Sequence, residues 1–393
     1  MYQRMNYDIK NFEKVLNSKI KPSMFKVLFK NAKNEPHLNK ITDEEWDYFI
    51  NLNLETNGLF KKAIQDLYEK LSTDRYLPKD ENFLQINEEL KEKGYFVFEN
   101  FFDEKVVKKI NEEIKLSSHK SKTSPDIKIK NDLIDKSKSD KFYSGVFYSY
   151  LTDIELDKKS EIIKSLVLNK KIKSIVGNYF GSTPFLVGIT SFITNPKPLN
   201  EFKDKDIHFS AQMFHCDYSH LKFLKVFLFL SDVETEEQGA HVFVEGSHKP
   251  LSPYPQESNY FHNAGLRKKS NNKFWGNIKK EWIDKNFKKE NIKKFCYPKG
   301  SVLIEDTSGY HRGSPCLDGQ RKVLQLYFAI SSLSGGWKIE NQPTISLDTN
   351  EKYLLPLIKS EKEKYKKIEL LNKFQLKSTF NKMLKRINKI LRR

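Results

Sequence analysis

The segment FHCDYSH, residues 214–220, places a histidine and an aspartate two positions apart, at His215 and Asp217. Residues i and i+2 of a β-strand point to the same side, so both side chains can converge on one point. An imidazole nitrogen and a carboxylate oxygen together suit a divalent first-row metal ion. An H-x-D pair is common by chance, and the alternative is two polar residues at the end of a strand. A metal site therefore needs a third ligand from elsewhere in the chain.

A candidate third ligand lies in KGSVLIEDTSGYHRGSPCLDGQRKVLQLYF, residues 299–328. An apolar strand is predicted over residues 301–305, and the turn after it carries His311. Two histidines and one carboxylate form the facial triad of non-haem Fe(II) oxygenases, which leaves positions open for a co-substrate and dioxygen. Ten residues after His311, Arg321 begins another apolar strand. An arginine in that place can hold a carboxylate by two parallel hydrogen bonds.

Short apolar segments separated by turns dominate residues 180–335, and they include KVFLFLSD, HVFVEGS, GSVLIED and KVLQLYFAIS. Several strands of this length predict an all-β barrel or sandwich. A Lys- and Asn-rich insertion, residues 249–294, interrupts them. It contains Trp275 and Trp282, and we expect it to be partly ordered. His241 is predicted to begin a strand.

The flanking segments differ from this β-rich part. Residues 1–85 have apolar positions at helical spacing and predict a helical N-terminal extension. Residues 86–114 predict a helix, a short strand and a second helix opened by Asp103. Residues 117–141 are rich in Ser, Lys and Asp, and a surface loop is expected there, with a mobile lid as the alternative.

Residues 341–393 form a basic tail that ends in a predicted amphipathic helix over 377–393. Its apolar positions recur at helical spacing on one face, and its remaining residues are rich in Lys and Arg. Two interpretations stay open. The helix packs on its own domain, or it makes peripheral contact with an anionic membrane surface.

Composition limits the classes of function. The 69 Lys and Arg residues exceed the 51 Asp and Glu residues, which gives a net charge of +18. The excess is spread along the chain without zinc-finger spacing or an arginine-rich cluster, and this disfavours nucleic-acid binding. The three cysteines form no CxxC pair, and no secretory signal or membrane span is predicted, so a cytoplasmic setting is expected.

From about residue 88 to residue 332, the chain resembles the phytanoyl-CoA dioxygenase family of Fe(II)/2-oxoglutarate oxygenases. Three segments carry the resemblance in the family's order: LKEKGYFVFENFFDEKVVKKINEEI, FHCDYSHLKFLKVFLFLSDVETEEQGAHVFVEGSHK and GSVLIEDTSGYHRGSPCLDGQRKVLQLYF. The resemblance implies a mainly β, α+β fold with a double-stranded β-helix core, the jelly-roll of the cupins, and flanking helices. This oxygenase domain is expected over residues 86–340, with 249–294 as an insertion or lid.

The resemblance also implies roles for individual residues. His215, Asp217 and His311 would bind the iron and form the catalytic centre, and Arg321 would bind the distal carboxylate of 2-oxoglutarate. Family members commonly have a hydroxyl residue two positions after the distal histidine. Gly313 stands there in this chain, which leaves Ser314 as the candidate for that contact. The implied cofactors are Fe(II), 2-oxoglutarate as co-substrate, and dioxygen.

The implied activity is hydroxylation of a C–H bond with release of succinate and CO2. Asp217 favours it over halogenation, because related halogenases have a small residue at the carboxylate position. The substrate is expected to be a small molecule or a group linked to a carrier or lipid, and the Lys-rich segments suggest that it is anionic. Two alternatives remain: a non-catalytic barrel that serves as a binding module, and a cupin-type metalloenzyme that does not use 2-oxoglutarate.

Overall fold

A large antiparallel sheet and a small one form the centre of the protein in a computed structural model. The residues described are 81–115, 118–121, 128–130, 145–150, 160–180, 185–196, 211–217, 222–255 and 277–329. In chain order the strands are β1 (Tyr95–Phe98), β2 (Ser118–Ser121), β3 (Lys128–Lys130), β4 (Gly145–Tyr150), β5 (Phe185–Asn195), β6 (Phe223–Phe229), β7 (His241–Val244), β8 (Ile292–Phe295), β9 (Val302–Glu305), β10 (His311–Gly313) and β11 (Arg321–Ala329). The large sheet has the order β1-β9-β6-β11-β5-β4-β2-β3, and the small sheet has the order β10-β7-β8.

The strands at the middle of the large sheet are apolar over nearly their whole length. All four residues of β9 are buried, and so are six of the seven residues of β6. Strands buried on both faces have continuous apolar sequences rather than an alternating pattern. The two sheets share one apolar cluster, to which the large sheet contributes Phe227, Phe229 and Leu303, and the small sheet contributes Phe243 and Phe295. The small sheet therefore packs on one face of the large sheet, called here the inner face.

The strand register brings polar side chains together on this inner face. Lys225 of β6 lies directly opposite Glu305 of β9 on one side and Tyr327 of β11 on the other. Opposite residues in a sheet project to the same side, as do residues two positions apart in one strand. Lys225, Glu305 and Tyr327 therefore project from the same face as Phe227, and Gln325 of β11 lies directly opposite Phe227.

The helices are α1 (Glu81–Lys93), α2 (Glu104–Lys115), α3 (Glu161–Val167), α4 (Lys170–Phe180) and α5 (Lys280–Asn286). Asp103 caps α2, because its Oδ1 accepts the backbone N–H of Val106 at 2.8 Å. This confirms the predicted helix start. Helix α1 packs against α4 and β1. No helix among the described residues is both long enough and apolar enough to cross a membrane.

The predicted combination of helices and antiparallel strands is confirmed, with two local differences. Residues 214 and 215 form only isolated bridges, Phe214 with Ile278 and His215 with His311, instead of the end of a regular strand. Part of the loop predicted over 117–141 consists of the short strands β2 and β3, of which β3 is at the edge of the large sheet. Strand β2 pairs with β4 on one side and β3 on the other, and these backbone hydrogen bonds do not depend on apolar side chains.

Other predictions concern the flanks and the insertion. Strand β8, at the end of the predicted insertion 249–294, belongs to the small sheet. Trp282 of α5 is buried with Phe214 and Tyr310. Residues 1–80, the basic tail 341–393 and its predicted helix 377–393 lie outside the described residues.

Candidate metal and co-substrate site

His215 and His311 lie directly opposite each other in an antiparallel bridge. The backbone N–H of each donates to the carbonyl oxygen of the other at 3.0 Å, and their ring centroids are 4.3 Å apart. Asp217 follows on the same segment, and its N–H donates to the carbonyl oxygen of Thr307 at 2.9 Å. Backbone hydrogen bonds thus fix two distant parts of the chain against each other. They bring together all three residues that the motif analysis singled out as metal ligands.

The side chains of these three residues form a compact group. One ligand atom from each lies within 4.8 Å of the others. The Nε2 of His215 is 4.0 Å from Oδ1 of Asp217, and the Nε2 of His311 is 3.4 Å from Oδ2. Two imidazole nitrogens and one carboxylate oxygen in this arrangement match the ligand set of a mononuclear Fe(II) site with open positions.

Each imidazole is oriented by its other nitrogen. The Nδ1 of His215 lies 2.8 Å from the carbonyl oxygen of Met213, and that of His311 lies 3.0 Å from the carbonyl oxygen of Gly309. A carbonyl oxygen only accepts, so Nδ1 carries the proton and Nε2 is left as the free ligand atom. Position 309 needs glycine, because a Cβ there would lie 2.7 Å from the Phe243 ring. The tautomer of both histidines fits a bound metal ion.

The charges of the group also fit a cation. Burial, together with His311, lowers the pKa of His215 to about 3, so this imidazole is neutral at physiological pH. Burial alone would raise the pKa of Asp217, but Lys225 and His311 hold it well below its usual value. The carboxylate is therefore ionised. A neutral imidazole and an ionised carboxylate are the forms that bind metal ions.

Arg321 begins β11 and is opposite Thr194. Its Nε is buried and has no hydrogen-bond partner within the described part of the chain. Burial lowers the pKa of its guanidinium to about 10. A buried guanidinium is costly without an anion, and a carboxylate can take two of its N–H groups in parallel. The residue therefore fits the predicted role of holding a carboxylate ligand.

The hydroxyl of Ser314, the candidate for a co-substrate contact, has protein partners in this structure. Its hydroxyl donates to Oε1 of Glu236 at 3.1 Å, and the guanidinium of Arg312 donates to the same oxygen at 3.0 Å. Lys294 pairs with the second carboxylate oxygen of Glu236. In this structure the Ser314 hydroxyl thus belongs to an ionic cluster centred on Glu236.

Two buried polar pairs that the sequence motifs did not predict lie beside the predicted ligands. Lys225 Nζ lies 2.5 Å from Oδ2 of Asp217, and His241 Nε2 lies 2.9 Å from Oε2 of Glu305. Burial raises the pKa of Glu305 to about 8 and holds the pKa of His241 well below its usual value. At neutral pH the Glu305 carboxyl therefore keeps its proton, and its O–H donates a hydrogen bond to Nε2 of the neutral His241 imidazole. The sequence feature that could have indicated these pairs is a charged residue within an apolar strand, Lys225 in FLKVFLF and Glu305 in VLIE.

The Glu305 pair predicts a pH-dependent difference between the wild type and Glu305→Gln. The folded protein keeps the Glu305 proton up to about pH 8, whereas the unfolded chain releases it above about pH 4.5. Wild-type stability therefore falls as the pH rises through this window, and glutamine, which imitates the protonated carboxyl, removes this contribution. The stability of Glu305→Gln relative to the wild type should rise by roughly 2–3 kcal/mol between pH 6 and pH 9. Denaturant unfolding of metal-free protein at both pH values measures it. An unchanged difference would contradict the assigned protonation.

The family model described as Phytanoyl-CoA dioxygenase (PhyH) matches residues 90–322. A search of curated proteins found no match.

Similar solved structures include HygX from Streptomyces hygroscopicus with nickel and 2-oxoglutarate bound. It has a TM-score of 0.40 and 15% identity, and the match covers 64% of this chain and 87% of HygX. Another is EctD from S. alaskensis with bound Fe, with a TM-score of 0.42, 12% identity and coverage of 66% of this chain and 80% of EctD. A third is the carbocyclase SnoK from nogalamycin biosynthesis, with a TM-score of 0.40, 15% identity and coverage of 64% and 84%. At this distance no reaction is carried over from them. The family model, in contrast, spans more than half of the chain and confirms the resemblance seen in the motifs, and the chain therefore belongs to the phytanoyl-CoA dioxygenase family of Fe(II)/2-oxoglutarate oxygenases.

Proposed function

We propose that the protein is an Fe(II)- and 2-oxoglutarate-dependent dioxygenase that hydroxylates a C–H bond of its substrate. The observation that carries this proposal is the meeting of the ligand atoms of His215, Asp217 and His311 within 4.8 Å of one another. The unpartnered Nε of Arg321 supports it, because a carboxylate-bearing co-substrate would supply the missing partner. Family membership supports the choice of Fe(II), 2-oxoglutarate and dioxygen.

In this proposal His215, Asp217 and His311 hold the iron, and Arg321 holds the distal carboxylate of 2-oxoglutarate. Bound Fe(II) with its co-substrate would supply the oxidising chemistry, in which 2-oxoglutarate and dioxygen give succinate and CO2 and the remaining oxygen atom of dioxygen becomes the hydroxyl group on the substrate carbon. The chain's own residues orient and protect the site. The Nδ1 hydrogen bonds of both histidines fix the imidazoles, and the apolar cluster around Phe227 and Phe243 excludes water from the inner face.

The same proposal gives a more specific fold and domain arrangement. The two facing sheets would form the double-stranded β-helix of the oxygenase domain, residues 86–340, with the helical extension before it and the basic tail after it. The substrate would be a small molecule or a group linked to a carrier or lipid, and the Lys-rich composition of residues 117–141 and 249–294 favours an anionic one. Asp217 favours hydroxylation over halogenation, because the carboxylate takes the position that a halide would need.

The test is an anaerobic titration of purified metal-free protein with Fe(II) and then 2-oxoglutarate. The expected result is a visible metal-to-ligand charge-transfer band, followed by formation of succinate when oxygen is admitted with a substrate. Bound metal without a band would favour the cupin-type enzyme that does not use 2-oxoglutarate. Failure to bind metal would favour the non-catalytic binding module.

A further inference from the structure

Lys225 is a buried charge in the wall of the site. It lies within the apolar strand β6, and its side chain is only 14% exposed. Its neighbours in the sheet are Glu305 and Tyr327, and its Nζ lies 4.9 Å from the centroid of the Tyr327 ring. An ammonium removed from water is strongly destabilised unless an opposite charge compensates it. The position therefore requires a specific anionic partner.

Asp217 is that partner. The Nζ of Lys225 lies 2.5 Å from Oδ2 of Asp217, which is also the oxygen that lies 3.4 Å from Nε2 of His311. A carboxylate held by an ammonium keeps one orientation and has one oxygen already engaged. Lys225 thus restricts how Asp217 can present its oxygens to a metal ion, and favours binding through a single oxygen.

Lys225 also changes the charge of the site. When the two histidines bind a metal ion both imidazoles are neutral, so the three ligands carry a net charge of −1, and Lys225 brings the group to zero. With a divalent metal ion the site then has a charge of +2 rather than +1. The additional positive charge weakens the attraction for a cation and strengthens the attraction for a dianion such as 2-oxoglutarate.

Resting on the proposed function, we propose that Lys225 is a positioning residue of the oxygenase site. It holds Asp217 for single-oxygen metal binding, and its charge favours the dianionic co-substrate. This role is separate from that of Arg321, which meets the far end of the co-substrate. It makes a distinct prediction, because metal affinity and co-substrate affinity should respond differently to the loss of Lys225.

The experiment compares the wild type with Lys225→Met and Lys225→Arg in the full chain. Fe(II) is titrated anaerobically into metal-free protein, and 2-oxoglutarate is then titrated into the Fe(II)-loaded protein, with the charge-transfer band as the readout. For Lys225→Met we expect Fe(II) affinity within about threefold of the wild type, or tighter, but 2-oxoglutarate affinity at least about tenfold weaker. Lys225→Arg keeps the charge and should restore 2-oxoglutarate affinity to within about threefold of the wild type.

Controls separate this role from general damage. Lys293→Met removes another strand lysine, whose Nζ lies 3.4 Å from Glu245, and should leave both affinities unchanged. Thermal unfolding identifies variants that do not fold, and Lys225→Gln replaces Lys225→Met if that protein is unfolded. A parallel loss of metal and co-substrate binding would overturn the inference, as would unchanged 2-oxoglutarate affinity. If the wild type gave no band, the proposed function itself would fail.

Discussion

His311→Ala is expected to lower the affinity for Fe(II) by more than about 100-fold, because loss of a metal ligand should exceed the 10–100-fold effect of losing a residue that only orients one. The remaining residues, His215 and Asp217, lie on one short segment and leave the opposite side of the site without a nitrogen ligand. The charge-transfer band with 2-oxoglutarate should disappear at Fe(II) concentrations that saturate the wild type. Anaerobic titration measures both effects.

His248→Ala is the matched control for this variant. The Nε2 of His248 lies 3.0 Å from the carbonyl oxygen of Lys91, away from the three predicted ligands. Its loss should change Fe(II) affinity by no more than about twofold, as expected for a residue outside the site. Wild-type Fe(II) affinity in His311→Ala would remove this residue from the metal site.

Arg321→Met is expected to weaken 2-oxoglutarate binding by about 30-fold or more, since losing one partner of a buried charge pair costs at least about 2 kcal/mol. Fe(II) affinity should stay close to that of the wild type. The same substitution should stabilise the ligand-free protein by about 1–3 kcal/mol, because it removes a buried guanidinium whose Nε lacks a partner among the described residues. The band titration measures the first effect, and denaturant unfolding without ligand measures the second.

Arg312→Met provides a control with the opposite expected effect on stability. Arg312 donates to Glu236 at 3.0 Å and lies 5.2 Å from the centroid of the Phe214 ring. Its loss should destabilise the protein by about 1–3 kcal/mol and change 2-oxoglutarate affinity by less than about threefold. If Arg321→Met were destabilised like Arg312→Met and bound 2-oxoglutarate normally, Arg321 would be a structural residue.

Arg321 was predicted from the sequence, whereas the partner of Arg312 is known only from the structure. The position of Arg321 at the head of an apolar strand, ten residues after His311, was visible in the chain itself. The engagement of Arg312 with Glu236 depends on the packing of β10 against the turn before β7, and no local pattern predicts it. An isolated charge in a sequence does not reveal whether its partner is protein or ligand.

Ser314 illustrates the same limit. Its proximity to the distal histidine made it the candidate for a co-substrate contact. The fold also places Glu236 within hydrogen-bond distance of its hydroxyl, and the co-substrate contact stays a prediction. The side-chain direction of a residue just after a three-residue strand depends on long-range packing, which spacing along the chain does not contain.

The sequence by itself determined the family, the mixture of helices and antiparallel strands, and which residues to test as metal ligands. The sequence suffices for this, because each motif is recognised from a few neighbouring residues. The H-x-D pair, the distal histidine and the arginine at a strand start then follow one another in the order of the family. Only the tertiary structure decided that Lys225 contacts Asp217 and that Glu305 contacts His241. Glu305 and His241 are 64 positions apart and lie in different sheets, whereas Lys225 and Asp217 are eight positions apart. Strand register and sheet packing select both pairs. In the sequence each pair was visible only as one charged residue, Lys225 or Glu305, within an apolar strand. Because a buried polar or charged group needs a partner, each of these residues makes a specific contact in the fold.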